Sequence, residues 1–171
     1  MVWLYLVLLI INLFYSSNNL MNYRSYMESH PDWWCPFCHL NKTEIIKEYQ
    51  HFVVIPTRAP YCEDHLLIIP KEHDILLHDM PLPRHQEMYH IVDDRAEKLH
   101  HYHEDVILLL RDGKVWWHTG KSQNHIHFHL LPDYDFWWES DSGSIDRKFF
   151  DEDEYMGLVD KIKNKYETGL G

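Results

Sequence analysis

Residues 125–131 read HIHFHLL, and this alternation restricts the chain more than any other stretch. In a β-strand successive side chains point to opposite faces. A strand here places His125, His127 and His129 on one face and Ile126, Phe128 and Leu130 on the other. The spacing predicts a strand with an apolar face in a core and an imidazole-lined working face. Neighbours on one face stand about 6.6 Å apart at Cα, and the outer two about 13 Å apart. Zinc holds its nitrogen ligands at about 2 Å. Two adjacent histidines can share one ion, whereas all three are not expected to.

Cysteine supplies the second constraint. Cys35 and Cys38 form CPFC, and Cys62 is the remaining thiol. An odd count with one close pair does not read as a secreted disulfide framework. A Cys-x-x-Cys pair offers two soft ligands to zinc, which wants two more. A redox dithiol and a pair of buried structural cysteines are the competing readings, and no thioredoxin-like βαβ pattern surrounds the motif. A site built from Cys35, Cys38, His73 and His125 is chemically sensible. Spacing alone does not single out His73 among 15 histidines.

The 171 residues suit one domain with a sizeable core. The formal net charge of -11 repels a polyanion, so a nucleic-acid polymer is not expected as a partner. A small phosphate ligand stays open, because a local site can oppose the global charge.

Along the chain, 43–57 reads as two strands broken near Tyr49 to His51, and HLLIIP at 65–70 as a buried strand. From Pro81 a helix is expected, with Met88, Ile91, Val92, Ala96, Leu99 and Tyr102 at helical spacing. VILLL at 106–110 is a further strand, and KVWWHTG a possible one. A short helix is expected in DEYMGLVDKIKNKYE near the C-terminus. These elements predict an α+β fold with an antiparallel sheet of about five strands and one main helix.

The first fifteen residues, MVWLYLVLLIINLFY, are apolar apart from one Asn, and short for a span of roughly 20 residues. They read as an appendage outside the working core, with a start at Met21 or Met27 as a variant of that reading. The expected location is cytoplasmic, with anchoring in or export across a membrane through residues 1–15 as the alternative. The acidic, aromatic stretch beyond Pro132 reads as a solvated cover. Cys62 reads as a plain loop thiol. His100, His101 and His103 read as solvated residues favoured by a helix C-terminus.

Taken together, these segments resemble the histidine triad, or HIT, family. HIHFHLL is similar to its His-φ-His-φ-His-φ-φ signature, where φ is apolar. EDHLLIIPKEHDILLHDM resembles its GHxLVIPKxHxxxLxDL segment, and GKSQNHIHFH its GQSxxHxHxH approach. CPFC resembles the zinc-bearing branch, which includes galactose-1-phosphate uridylyltransferase. The resemblance divides the chain into an apolar segment and linker at 1–32, a HIT-like domain at 33–133 and an extension at 134–171.

That resemblance implies a nucleotide-binding sheet-plus-helix fold, usually a homodimer, acting on nucleotides at the α-phosphate. Its substrates are nucleoside phosphoramidates, dinucleoside polyphosphates and nucleotide conjugates. It makes His127 the nucleophile and His125 a zinc ligand beside Cys35, Cys38 and His73, with the zinc structural. His65 and His129 fall on the phosphate side, where protonated rings would offset developing charge. Ser122 stands near the leaving group, and residues 52–55 flank base and ribose. Three departures bear on substrate choice. Asp64 replaces a glycine and adds negative charge near an anionic ligand. Lys121 replaces a glutamine and offers a cation to a phosphate. His118-Thr119-Gly120 replaces an N-x-G ribose-phosphate contact. Nucleotidyl transfer is the competing activity, although uridylyltransferase relatives carry Gln where this chain has His129. A nucleotide- or zinc-binding module without catalysis is the reading from a different class.

Overall fold

The computed structural model describes residues 26, 29–31, 34–114, 123–135 and 148–168. Residues 1–25, the possible strand from Val115 onward, and His118, Lys121 and Ser122 lie outside them. Among the described residues, no helix is long and apolar enough to cross a membrane.

Five strands form one antiparallel sheet in the order β1-β2-β3-β5-β4. They are β1 (Lys47–Glu48), β2 (Phe52–Pro56), β3 (Leu66–Pro70), β4 (Val106–Leu110) and β5 (Phe128–Pro132). Helix α1 (Leu82–His100) joins β3 to β4, and α2 (Glu152–Lys163) runs on into a wider turn at Asn164–Thr168. The expected α+β architecture is borne out.

The pleat sorts β2 and β3 into two faces. Phe52, Val54, Leu66 and Ile68 pack with Phe128, Leu130 and Ile126 under Met88, Ile91 and Leu99 of α1. Val53, Ile55, Leu67 and Ile69 face the other way, towards Phe37, Leu40 and Ile45. Leu67 is the cross-strand neighbour of His129, so the histidines of β5 belong to this second face. α1 buries two arginines beside its apolar stripe. Arg84 is paired with Asp74, and Arg95 with Asp94 and Glu167, which meets the need of a buried charge for a partner.

The C-terminal helix departs from a solvated cover. Its start is capped by Asp151, whose side chain accepts from the Glu154 N–H at 2.9 Å. Tyr155, Val159, Ile162 and Tyr166 are buried at helical spacing, and Ile162 and Tyr166 join the main core. The Tyr155 hydroxyl donates to the Pro56 carbonyl at 3.0 Å. Glu152, Asp153, Glu154 and Asp160 of this helix are exposed, and residues 136–147 of the acidic stretch lie outside the described residues.

Candidate active site and metal centre

β5 begins at Phe128, so His125 and His127 enter the site from the segment just ahead of the strand. That segment is nevertheless pinned: the Ile126 N–H donates to the Asp74 carbonyl at 2.7 Å. The alternation survives, with Ile126, Phe128 and Leu130 buried in the core. The histidine side is buried as well, His125 at 0%, His127 at 6% and His129 at 7% exposure. A solvated histidine face is thereby excluded.

The structure brings Cys35, Cys38, His73 and His125 together. Their ligand atoms lie within 4.8 Å of one another. Cys35 Sγ is 3.4 Å and Cys38 Sγ 3.6 Å from His125 Nδ1, and Cys38 Sγ is 3.1 Å from His73 Nδ1. Tetrahedral zinc with bonds of about 2.0–2.3 Å separates its ligands by roughly 3.3–3.8 Å; the two cysteine–His125 pairs stand at that spacing, and the donor set of two thiols and two imidazoles suits the ion with a small adjustment of the wider pairs. Local order comes from a tight turn at Pro36–His39 and from Asp74, which anchors His73 through Arg84. The Pro70 carbonyl lies 2.9 Å from His125 Nε2. A carbonyl only accepts, so Nε2 carries the proton and Nδ1 offers its lone pair, the outer-shell arrangement of metal-binding histidines. Burial pushes His125 down to about 4 and the Cys38 thiol up to about 11. His125 is thus ready as a neutral ligand, and a metal must displace the thiol proton.

His127 is oriented by the same logic. Its Nδ1 lies 2.8 Å from the His125 carbonyl, so Nδ1–H donates and Nε2 holds the lone pair. The ring thus has a backbone acceptor on Nδ1. Phe37, between the two cysteines, stands edge-on to this ring at 5.0 Å. CPFC signals this contact only by placing an aromatic ring between two ligands.

His65 and His129 form a relay. The Tyr61 N–H donates to His65 Nδ1 at 3.2 Å, and His65 Nε2 lies 2.9 Å from His129 Nδ1. Tyr61 N–H can only donate, so His65 Nδ1 accepts, Nε2–H donates to His129, and His129 carries its proton on Nε2. In this arrangement each ring uses one nitrogen as an acceptor. Nothing in RAPYCED signals the part taken by Tyr61, because that contact forms only when the loop closes on the strand.

A cavity of about 290 Å³ opens over His127 and His129. Of residues 52–55 only Ile55 lines it, joined by Leu67, because Phe52 and Val54 point to the α1 side of the sheet. Trp34, Phe149 and Tyr155 complete its aromatic wall. Arg58 sits there over the Tyr155 ring at 4.0 Å, held by Glu44 at 2.6 Å and Glu152 at 2.8 Å.

Two further expectations change. Asp64 does not turn its charge on a ligand. His103, Lys165 and Tyr166 surround its carboxylate, and His103 is therefore half of a buried pair instead of a solvated residue. Cys62 is half-buried, and burial pushes its thiol up to about 12, which agrees with an inert loop residue.

This fold and site define a histidine-triad protein. The HIT domain sequence model matches residues 39–136, and the chain belongs to the HIT family. It is 33% identical over 107 residues to adenosine 5'-monophosphoramidase HNT1 of Saccharomyces cerevisiae, covering 59% of this chain. The chain spans 63% of the length of that relative. A zinc-bound histidine triad family protein from Mycobacterium smegmatis superposes with a TM-score of 0.57 at 22% identity, over 78% of this chain and 96% of that one. Diadenosine triphosphate hydrolase of Plasmodium falciparum superposes at 0.56 with 13% identity, over 77% and 82%.

Proposed function

We propose that the chain is a nucleotide hydrolase that cleaves at the α-phosphate of a nucleoside phosphoramidate, or of a dinucleoside polyphosphate, through a nucleotidyl-histidine intermediate. The observation that carries this reading is the orientation of His127, whose Nδ1–H is taken up by the His125 carbonyl at 2.8 Å. The Nε2 lone pair attacks phosphorus, the P–N or P–O bond to the leaving group breaks, and the ring gains positive charge. The carbonyl on Nδ1 offsets that charge. His129 Nε2–H, fixed by the His65 relay, donates to a phosphoryl oxygen as negative charge develops. Ser122 and Lys121, and His118 beyond them, are proposed to meet the leaving group and outer phosphate, Ser122 passing a proton to the departing atom. Water then breaks the His127–phosphorus bond and releases the nucleoside monophosphate.

Cys35, Cys38, His73 and His125 would hold zinc, which would supply structural order, since four protein ligands leave no position for substrate. A nucleoside occupies the aromatic-walled cavity, whose volume of about 290 Å³ stands near the lower end for small-molecule sites and suits one such group. A homodimer is proposed through β4, one of the two outer strands of the described sheet, which exposes Leu108 at 44%. Support for hydrolysis comes from His129 at the third triad position and from the likeness to the yeast monophosphoramidase.

The test is a turnover screen over adenosine phosphoramidates, dinucleoside polyphosphates and capped nucleotides, with zinc content measured alongside. His127→Ala is expected to abolish turnover of the best substrate while melting temperature and zinc content hold. Undiminished turnover by that variant defeats the nucleophile assignment, and binding without turnover across the panel supports the non-catalytic module.

A further inference from the structure

The turn that delivers His65 ends on a residue in left-handed backbone conformation. Asp64 has φ 57° and a fully buried side chain. One of its oxygens takes all the compensation. Oδ2 accepts from Lys165 Nζ at 2.5 Å, from the Tyr166 hydroxyl at 2.5 Å and from His103 Nε2 at 3.0 Å. Oδ1 is buried with no hydrogen-bond partner among the described residues. Burial pushes the Asp64 carboxyl up, and the bonds from Lys165, Tyr166 and His103 outweigh it and hold the group below the usual carboxylate range. His103 is fixed from its other side by Asp133 at 2.8 Å, and Asp133 accepts the N–H groups of Glu104 and Asp105. Two of the three donors on Asp64 come from beyond residue 136, where the match to the HIT domain ends.

We propose that the C-terminal segment positions the catalytic histidines: Lys165 and Tyr166, by clasping Asp64, fix the turn that presents His65 to His129. The rate readout of this proposal rests on the hydrolase reading above. A left-handed residue other than glycine carries a conformational cost, smaller for Asp than for most residues, that its surroundings offset. Without Lys165 and the Tyr166 hydroxyl, Oδ2 keeps one donor, and a buried carboxylate with too few partners turns towards water. The backbone at Asp64 then relaxes to negative φ. The Tyr61 N–H belongs to the same turn, so it leaves His65 Nδ1, and the ring is released to either tautomer. His129 loses the donor on Nδ1 that keeps its own proton on Nε2. Glycine at position 64 adopts φ 57° without any clasp. Lys165 and Tyr166 are therefore positioning residues that act through Asp64.

The experiment compares the full chain with Lys165→Met/Tyr166→Phe, and with the same pair carrying Asp64→Gly as well. Adenosine 5'-phosphoramidate is the substrate, and nitrogen-15 spectra report the tautomers of His65 and His129. The pair is expected to lose about tenfold in kcat at unchanged KM, the rate equivalent of one residue's backbone strain. Its spectra should show mixed tautomers at His65 and His129. Adding Asp64→Gly should restore most of the rate and the single tautomers, which a merely structural anchor does not do. Should Lys165→Met fail to fold, Tyr166→Phe alone keeps its ring in the core and is expected to lose about threefold in kcat, one neutral hydrogen bond's worth. Unchanged kcat with unchanged tautomers, or no restoration by Asp64→Gly, overturns the proposal. If the parent turns over no nucleotide, the hydrolase reading fails by itself, and the tautomer spectra still decide the clasp: altered tautomers support it and unaltered ones overturn it.

Discussion

Ile162→Ala tests whether the C-terminal helix is part of the fold or a cover laid over it. Ile162 is 0% exposed and belongs to the main core with Ile68, Met88 and Tyr166. The substitution removes three carbons, about 2.4 kcal/mol of transfer free energy at roughly 0.8 kcal/mol each. The void adds up to about 2 kcal/mol if its walls stay in place, taking roughly 80 Å³ at 24 cal/mol per Å³. Partial collapse towards the void brings the expected loss to about 3–4 kcal/mol. A small domain has about 5–15 kcal/mol to lose, so urea unfolding should show a large fall in midpoint with an unchanged slope. A solvated cover predicts a change within about 0.5 kcal/mol. A measured loss below about 1 kcal/mol refutes the placement of this helix in the core. An equal loss with a lower slope instead signals that the helix unfolds separately from the sheet.

Phe149→Ala removes part of the aromatic wall of the cavity and should raise KM for a nucleotide about tenfold with kcat nearly unchanged, as expected for lost base stacking. A phosphoramidate without a base should show no such change in steady-state assays. Leu108→Lys places a charge on the exposed outer strand and should convert a dimer to a monomer in sedimentation, with the monomer still folded by circular dichroism. Asp64→Asn should flatten the acid limb of stability. The folded carboxyl titrates below its unfolded value near 3.9, so its stabilisation is complete above about pH 5 and is lost as pH falls through the folded value. Melting temperatures of the parent should therefore drop more steeply than those of the variant between about pH 5 and pH 3.

What the sequence reveals here follows the range of each interaction. The alternation around His127 and the CPFC spacing are local, and both are readable in a few residues. His73 is harder. It lies 52 residues before His125, and only family resemblance separates it from the other histidines. The contacts that set ring orientation are harder still. Tyr61 reaches His65 through a backbone N–H, which carries no residue signature. Asp64 meets Lys165 and Tyr166 about a hundred residues away, so its charge seemed to face the ligand until the tail was seen to neutralise it. The tail shows the same limit. Tyr155, Val159, Ile162 and Tyr166 mark a helix, but helical spacing names no partner, and the acidic stretch ahead of them suggested solvent.

The three histidines of the signature are alike in sequence and unlike in chemistry, and the difference lies in what each ring touches on its other nitrogen. The Pro70 carbonyl takes the His125 Nε2–H and leaves Nδ1 towards the cysteines. The His125 carbonyl takes the His127 Nδ1–H and leaves the lone pair on Nε2. The Tyr61 N–H, acting through His65, occupies His129 Nδ1 and leaves an Nε2–H donor. The roles proposed for the three rings, ligand, nucleophile and donor, thus follow from three backbone groups, each of which acts in one direction only. The order also links the centres. The carbonyl that orients His127 belongs to the residue that faces Cys35 and Cys38, so a shift of His125 is passed directly to the His127 ring. His65 and His129 hang from a separate turn, whose anchor is Asp64. Damage at the cysteine end should therefore spoil the nucleophile, and damage at the Asp64 end should spoil the donor to the phosphoryl oxygens. The two anchors rest on different contacts, Pro70 and the cysteines on one side and Lys165, Tyr166 and His103 on the other.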